Sequence, residues 1–556
     1  MSRLRLVLLL LALFVIALLY QRPTLIAPLN IYDEGIIVFG ATRVMDGQVP
    51  YRDFWTQYSP AQLYVLAALF KTLGKQIMVE RWWDVSIRAA LMLGMGALAT
   101  QLSSRKGGLL VWLIGLLWIT YYGFFGYPIF QGLLFSVLSI GAFTKALVQS
   151  VISVIPSASE EPRSSDSPSQ ERTRPFAALR VTSFTCKYFI VSGVLLGIAA
   201  LFRHDMAVYV GAAQSIVVFG HALTDTARPL PERVGIGLKR WRWLALSAVV
   251  TVLPVVIYLL IQVPASELLN QLFIFPLTIF PKVRDLPYPE FKGQLDDLPF
   301  YAPFLIYGVA GGIALVRLWH KRDVATAWGA LSLVLFGLFG WNQARVRSDI
   351  IHTVQFFVPA IVLLPVLIQA GTRRASLPGY ICATVAITLT LAFSINPIAY
   401  YLEIRKRPDN LDVQRNLKLA LPIAQGAQMS SEQIFAVQTI QGLTQPGEMV
   451  YVGLSNHSRV FANDVMFYFV MDRPSPTRYH EIHPGLVNTV AVQQEMIADF
   501  ERHQVRYLVL TNMFEGAREP NDSALDSKIT LLDDYIKAHY QQAHTLGSYR
   551  ILKRRN

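Results

Sequence analysis

The sequence predicts a polytopic α-helical membrane protein of about eleven spans, carrying a soluble α/β domain at its C-terminal end. Three observations predict it. Only 16% of the 556 residues are charged and 53% are hydrophobic, whereas a soluble protein has about 25% charged residues. The apolar excess is gathered into blocks of about 15–22 residues, long enough to cross hydrocarbon as helices. After about residue 400 the blocks stop and shorter strand and helix patterns take over.

The first block, "LRLVLLLLALFVIALLY", has a basic start and a long apolar core. No A-x-A-like cleavage site follows, so it reads as a retained first span with a cytoplasmic N-terminus rather than a cleaved signal. Further spans are expected at 84–102, 109–124, 132–152, 186–202, 205–223, 243–262, 299–317, 325–341, 351–370 and 379–398, after a first one at 4–20. With the N-terminus inside, the cytoplasmic segments are "SRLR", "SSRKGG", the loop 153–185, "ARPLPERVGIGLKRWR", "WHKRD" and "AGTRRASLPG". Every one carries Lys or Arg, as the positive-inside rule requires. The same clustering explains the net charge of +13, because Lys and Arg at block ends meet anionic headgroups, and it argues against a nucleic-acid partner. The loop 153–185 contains "PSASEEPRSSDSPSQERTRP", too poor in large apolar residues to fold, and is expected to be disordered. The two cysteines, Cys186 and Cys382, lie in apolar blocks and exclude a disulfide framework or a Cys-based metal site.

The region 1–400 is thus read as the membrane domain and 401–556 as an extracytoplasmic α/β domain, in a multi-pass protein of the cell inner (plasma) membrane. In the tail, "GEMVYVGL", "VRYLVLT" and "YRILKRR" read as strands, and "AVQQEMIADFERH" and "SKITLLDDYIKAHY" as helices. Within the large first external loop, 21–83, the segments 35–46 and 60–73 are too short to span and are expected to lie in the interface as amphipathic helices. "GQVPYRDF" between them is a turn.

Polar chemistry concentrates on the external side. Asp33 and Glu34 open the first of the two short helices. Carboxylates there favour the helix dipole, and the alternative is that one faces a cavity and takes a proton from a substrate. Asp84 and Arg88 stand one turn apart on the second span and can pair, either structurally or to orient a catalytic carboxylate. Arg203, His204 and Asp205 form a tight turn between two apolar blocks, which is costly near hydrocarbon; a headgroup-level turn and a functional cluster both fit. "WNQARVRSDIIH" places Arg345, Arg347, Asp349 and His352 on the side where positive charge is disfavoured. Guanidinium groups bind phosphate oxygens in two-point fashion, so Arg345, Arg347 and His352 read as phosphate-binding candidates, with lipid headgroups as the plainer alternative. Lys282 and Arg284 add positive field. In "RYHEIHPG", His480, Glu481 and His483 lack zinc-motif spacing, and an ordered polar loop is the better reading.

The order and sidedness of "YDEG", "GQVPYRDF", "DVSIR" and "RSDIIH" with Pro359 resemble the GT-C integral-membrane glycosyltransferases, in particular bacterial relatives of protein O-mannosyltransferases and of the lipid A aminoarabinose transferase. The resemblance covers roughly 1–400, and "DEG" after the first span is its most specific part. It implies a polyprenyl-phosphate sugar donor and inverting transfer to a lipid, glycan or protein acceptor. Asp33 then matches the general base, with Glu34 beside it, and Arg345, Arg347 and His352 correspond loosely to the basic residues near the donor phosphate; the charged turn adds Arg203 and His204 as donor-phosphate-binding candidates, with Asp84, Arg88 and Asp205 as supporting residues. No cofactor is firmly implied. A divalent metal is compatible with the family, but no motif supports one, and "YYGFFGYPIFQG" lacks the acidic residue some relatives carry there. The alternative from another class is a transporter or flippase for a lipid-linked or small anionic substrate, which would place ionisable residues near the midplane and show repeats; here they lie at span ends and no repeat is visible.

Overall fold

The computed structural model describes residues 2–152, 174–373, 377–406 and 421–555. The disorder expected for 153–185 falls largely on residues outside these, as does the start of the region after 400. Among the described residues, nine helices are long and apolar enough to cross a membrane. The eleven expected spans correspond to α1 (Arg3–Gln21), α4 (Ile77–Leu102), α5 (Arg105–Tyr121), α6 (Ile129–Ile152), α7 (Arg174–Phe202), α8 (His204–Leu223), α9 (Leu230–Gln262), α12 (Leu298–Trp319), α13 (Val324–Val346), α14 (Val354–Arg373) and α15 (Leu377–Lys406). The two below that length are α5, of 17 residues, and the apolar stretch Cys186–Phe202 of α7. The chain is a polytopic, multi-pass helical membrane protein.

Small residues and buried polar side chains hold the bundle, as expected where lipid removes the hydrophobic drive between helices. A Cβ added to Gly96 of α4 would stand 2.9 Å from the Gly108 carbonyl of α5, so the two backbones touch. Ser139 of α6 and Ser192 of α7 share a hydrogen bond of 3.0 Å, and Gln214 of α8 donates to both, at 3.0 and 3.2 Å.

Between the bundle and the C-terminal region lie α2 (Asp33–Met45) and α3 (Ala61–Leu73). The amphipathic reading of the first segment fails. Every residue of α2 from Glu34 to Arg43 is buried, because "EGIIVFGATR" offers no continuous polar face. The second segment is half-buried, with Leu66 and Phe70 inside and Lys71 and Leu73 exposed.

The C-terminal region is built on a four-stranded sheet of order β1-β2-β4-β3, from β1 (Val450–Leu454), β2 (Tyr507–Thr511), β3 (Tyr540–Leu546) and β4 (Tyr549–Arg554). β1 and β2 are parallel and the other pairs antiparallel. Both parallel strands are wholly buried because helices cover both faces. One face, with Val450, Val452, Val509 and Ile551, shares a core with α16 (Ser431–Leu443), α17 (Met466–Met471) and the two short helices of the first loop, through Ile36, Phe39, Leu66 and Phe70. The other, with Tyr451, Leu508, Leu510 and Leu552, packs on α18 (Val490–Arg502) and α19 (Leu531–His539) through Met496, Phe500, Leu532 and Ile536.

Backbone bonds tie this layer down. The Met466 N–H donates to the Ile31 carbonyl at 2.8 Å, Leu29 to Gln428 at 3.1 Å and Trp55 to Arg478 at 3.0 Å. Gly35 permits the first of these. A Cβ there would sit 2.4 Å from the Met466 nitrogen and 2.9 Å from the Val465 carbonyl carbon, a spacing no side chain tolerates.

Candidate functional site

Asn30 initiates α2. Its side-chain oxygen accepts from the Tyr32 and Asp33 amides at 3.3 and 2.9 Å, the local turn chemistry Asn favours. The next two carboxylates then diverge, because neighbours on a helix point about 100° apart.

Glu34 turns inward. It is fully buried and accepts from Arg81 of α4 at 2.8 and 3.0 Å, and from the Asn30 amide at 3.1 Å. Arg81 also donates to the carbonyls of Leu25, Ala27 and Pro28. This pair locks the entry to α2 onto the bundle, and every acceptor site of Glu34 is engaged structurally.

Asp33 stays half-buried and turns towards aromatic hydroxyls. One oxygen accepts from Tyr127 at 2.7 Å and the other from the Asn30 side-chain amide at 3.2 Å. Tyr127 stacks on Tyr58 with centroids 4.6 Å apart. Gly126 keeps this turn against α2, since a Cβ there would lie 3.0 Å from the Ile37 Cβ, and its φ of +67° is one that glycine adopts freely.

Around this carboxylate stand two ionisable groups from distant segments. Arg284 follows α11 (Phe280–Val283), the short helix that ends the stretch begun by α10 (Ala265–Leu269). Its buried guanidinium donates to the Phe461 carbonyl and lies 5.7 Å from the Tyr32 ring centroid and 5.2 Å from that of Phe461. Among the described residues no carboxylate forms an ion pair with it. Glu481, from the C-terminal sheet region, is 1% exposed, and neither of its carboxyl oxygens has a hydrogen-bond partner. Burial pushes this carboxyl up to about 8; Arg284 opposes the rise and Asp33 adds to it. His483 nearby is held down to about 3, by burial and then by Arg284, so it stays neutral. His480 is instead packed between Phe39 and Phe54 and faces Arg43 at 3.2 Å.

The remaining sequence candidates divide. Arg347 binds Glu519 of the C-terminal region in two-point fashion at 3.0 and 2.7 Å, lies 3.0 Å from Asp349, and feels the charge of Asp33. Burial opposes ionisation of Glu519, but Arg347 and Asn521 hold its carboxyl below the usual range. Arg203 pairs with Asp205 at 2.8 and 2.6 Å, and Gln343 donates to the same carboxylate at 3.1 Å. His204 Nδ1 shares a hydrogen bond of 2.9 Å with Ser59 Oγ. His352 meets Asp349 at 2.6 Å. Arg345 is exposed and donates to Asn342 at 3.0 Å. Asp84 and Arg88 form the expected pair, 2.6 Å apart and buried, with Arg88 donating to the carbonyls of Ile119, Tyr122 and Gly123. They brace the turn that carries Tyr127 rather than line an opening.

The residues that sequence reasoning passed over are Arg81, Tyr127 and the active placement of Glu481. Among the described residues, no group of three or more His, Cys, Asp or Glu is arranged to hold a metal ion. The arrangement has an accessible carboxylate, an unneutralised guanidinium and a buried carboxyl in one place. Such a set can accept a proton, stabilise an anion and bind hydroxyl groups.

The sequence matches no family model, and no curated protein matches it. Solved structures match the fold. ArnT from Cupriavidus metallidurans in the apo state aligns with TM-score 0.51 at 12% identity, covering 98% of this chain and 97% of that one. ArnT bound to undecaprenyl phosphate gives 0.50 at 11% identity, covering 99% and 98%. The Archaeoglobus fulgidus oligosaccharyltransferase AglB, in complex with an inhibitory peptide and a dolichol-phosphate, gives 0.49 at 13%, covering 97% and 74%. The match to ArnT over nearly the full length of both chains shows that this chain shares the fold of that protein.

Proposed function

We propose that this protein is a membrane glycosyltransferase that moves a sugar from a polyprenyl-phosphate donor to an acceptor on the extracytoplasmic face, with Asp33 as the general base of an inverting displacement. The observation that carries the reading is the half-exposed Asp33 carboxylate beside the unpaired, buried guanidinium of Arg284. A base that deprotonates an acceptor hydroxyl needs an accessible carboxylate. A departing phosphate needs fixed positive charge in a water-poor place. Tyr127 and Asn30 orient the base through its two oxygens, and Arg347 adds a second positive charge within electrostatic reach.

The fold shared with ArnT, which has been solved with undecaprenyl phosphate, supports the donor class. The expected sidedness supports the face. Arg284 takes the leading place among the phosphate-binding groups, because Arg203, Arg347 and His352 are occupied by Asp205, Glu519 and Asp349; Arg347 stands behind it because it also feels the charge of Asp33. The ionisable groups lie at helix ends, as at the α7–α8 junction and just past α13, which is where a transferase at the membrane surface uses them and not where a transporter does.

The test is to incubate the purified protein with polyprenyl-phosphate-linked hexoses and pentoses and measure released polyprenyl phosphate. Release from at least one donor is expected. No release from any, with folded protein, overturns the reading.

A further inference from the structure

The Asp33 site contains a group that stability alone does not explain. Glu481 is buried to 1% exposure, and among the described residues neither carboxyl oxygen has a hydrogen-bond partner. A buried polar group without a partner is destabilising, and an apolar side chain of similar size would serve the core better. The Tyr32 hydroxyl, its electrostatic neighbour, is likewise buried and unpartnered. Their surroundings are supplied by separate elements: Asp33 from α2, Tyr58 from the first loop, Tyr127 from the turn after α5, and Arg284 from the segment after α11. Asp33 and Arg284 already hold protein partners, so the vacant hydrogen-bonding capacity of the site is concentrated on Glu481 and Tyr32.

We propose that Glu481 is a substrate-contacting residue of the Asp33 site, contributed by the C-terminal region, whose carboxyl binds hydroxyl groups of a sugar. This rests on the transferase reading and deepens it. The fitting chemistry is neutral and polyhydroxylated. Burial and then the Asp33 charge favour the protonated carboxyl around neutral pH, against the pull of Arg284. A protonated carboxyl offers one donor and one acceptor, the set that bridges two neighbouring hydroxyls. It leaves Asp33 as the single anion among Glu481, Tyr32, Tyr58 and Tyr127, so Glu481 adds no repelling charge where a donor phosphate would meet Arg284.

The experiment uses the full chain in lipid nanodiscs with undecaprenyl-phosphate-linked glucose, mannose, galactose and arabinose, reading released undecaprenyl phosphate with and without added acceptor. Glu481→Ala is expected to lower kcat/KM roughly 100-fold, the scale of losing one well-placed hydrogen-bonding group in a desolvated site, while its Tm equals or exceeds that of the wild type. A rise confined to the donor KM assigns the contact to the donor sugar, and a loss confined to acceptor-dependent turnover assigns it to the acceptor. Glu481→Gln, which also has one donor and one acceptor face but does not titrate, is expected to keep activity and to lack the decline above pH about 8 that is expected of the wild type. Glu481→Ala with wild-type turnover overturns the assignment and leaves the transferase reading standing, as does a loss of activity matched by unfolding in both variants. A wild type that releases nothing from any donor overturns both.

Discussion

The Glu34 carboxylate and the Arg81 guanidinium meet at two points, 2.8 and 3.0 Å apart, with neither side chain exposed to solvent. The adjacent Asp33 forms no ion pair among the described residues and is half-buried, with its two oxygens accepting from Tyr127 and Asn30. Two neighbouring acidic residues therefore have separate duties, one holding the loop and the other available for chemistry.

Removing one partner of the buried pair strands the other. Arg81→Leu and Glu34→Gln are each expected to destabilise the protein by about 3–5 kcal/mol, read from thermal or denaturant unfolding in detergent. The double variant should cost clearly less than the sum, since the two act as a unit. Additive losses would show that the pair is not coupled.

Asp33→Asn should behave in the opposite way. Stability stays near wild type because the residue is half-exposed, while transfer falls by roughly 10²–10⁴, the usual contribution of a positioned base. Turnover at the wild-type rate would remove Asp33 from the mechanism.

Arg347 serves as both tether and source of positive field, and two variants separate these. Glu519→Gln breaks the two-point bond but leaves the positive charge, so it should lower stability by about 1–3 kcal/mol with little change in donor KM. Arg347→Gln should cost similar stability and raise donor KM as well. Equal donor KM in both variants would make Arg347 purely structural.

Gly35→Ala places a methyl group 2.4 Å from the Met466 nitrogen. The helix and the C-terminal layer must separate, at about 1–3 kcal/mol or more. Faster limited proteolysis after residue 421 is the expected readout, and unchanged cleavage would show that the contact is dispensable.

Stability should also fall as pH rises across the window set by Glu481. In the unfolded chain this carboxyl loses its proton near 4.5, whereas in the folded protein burial, with Asp33 adding to it, keeps the proton up to about 8. The folded state thus binds more protons between those values, and raising the pH through them favours unfolding. Glu481→Gln should flatten this decline, and the Tm difference between variant and wild type should widen from acid to mildly alkaline pH. Parallel curves would contradict the burial of an ionisable group there.

Much of this architecture was legible in the residues. The spans followed from apolar runs whose ends carry Lys or Arg, and Asp33 stood out as an acidic pair directly after one of them. What misled was the short helix after the first span. "IIVFG" was read as one face of an interfacial helix, yet its lack of polar spacing is the mark of a helix enclosed on all sides. Arg81 escaped notice because "VERWWD" was read as a span start, where Asp84 and Arg88 offered a nearer pairing. Glu481 escaped because nothing local in "RYHEIHPG" says which surface it meets; only the packing of Phe39 and Phe54 against His480 brings that loop to α2.

The hydrogen bond from Met466 to Ile31 joins a residue made early in synthesis to one made late. Asp33 emerges directly after the first apolar helix, but the wall opposite, which includes Glu481, does not exist until most of the polypeptide has been translated. On the transferase reading proposed above, half-made copies therefore lack the wall that completes the Asp33 site.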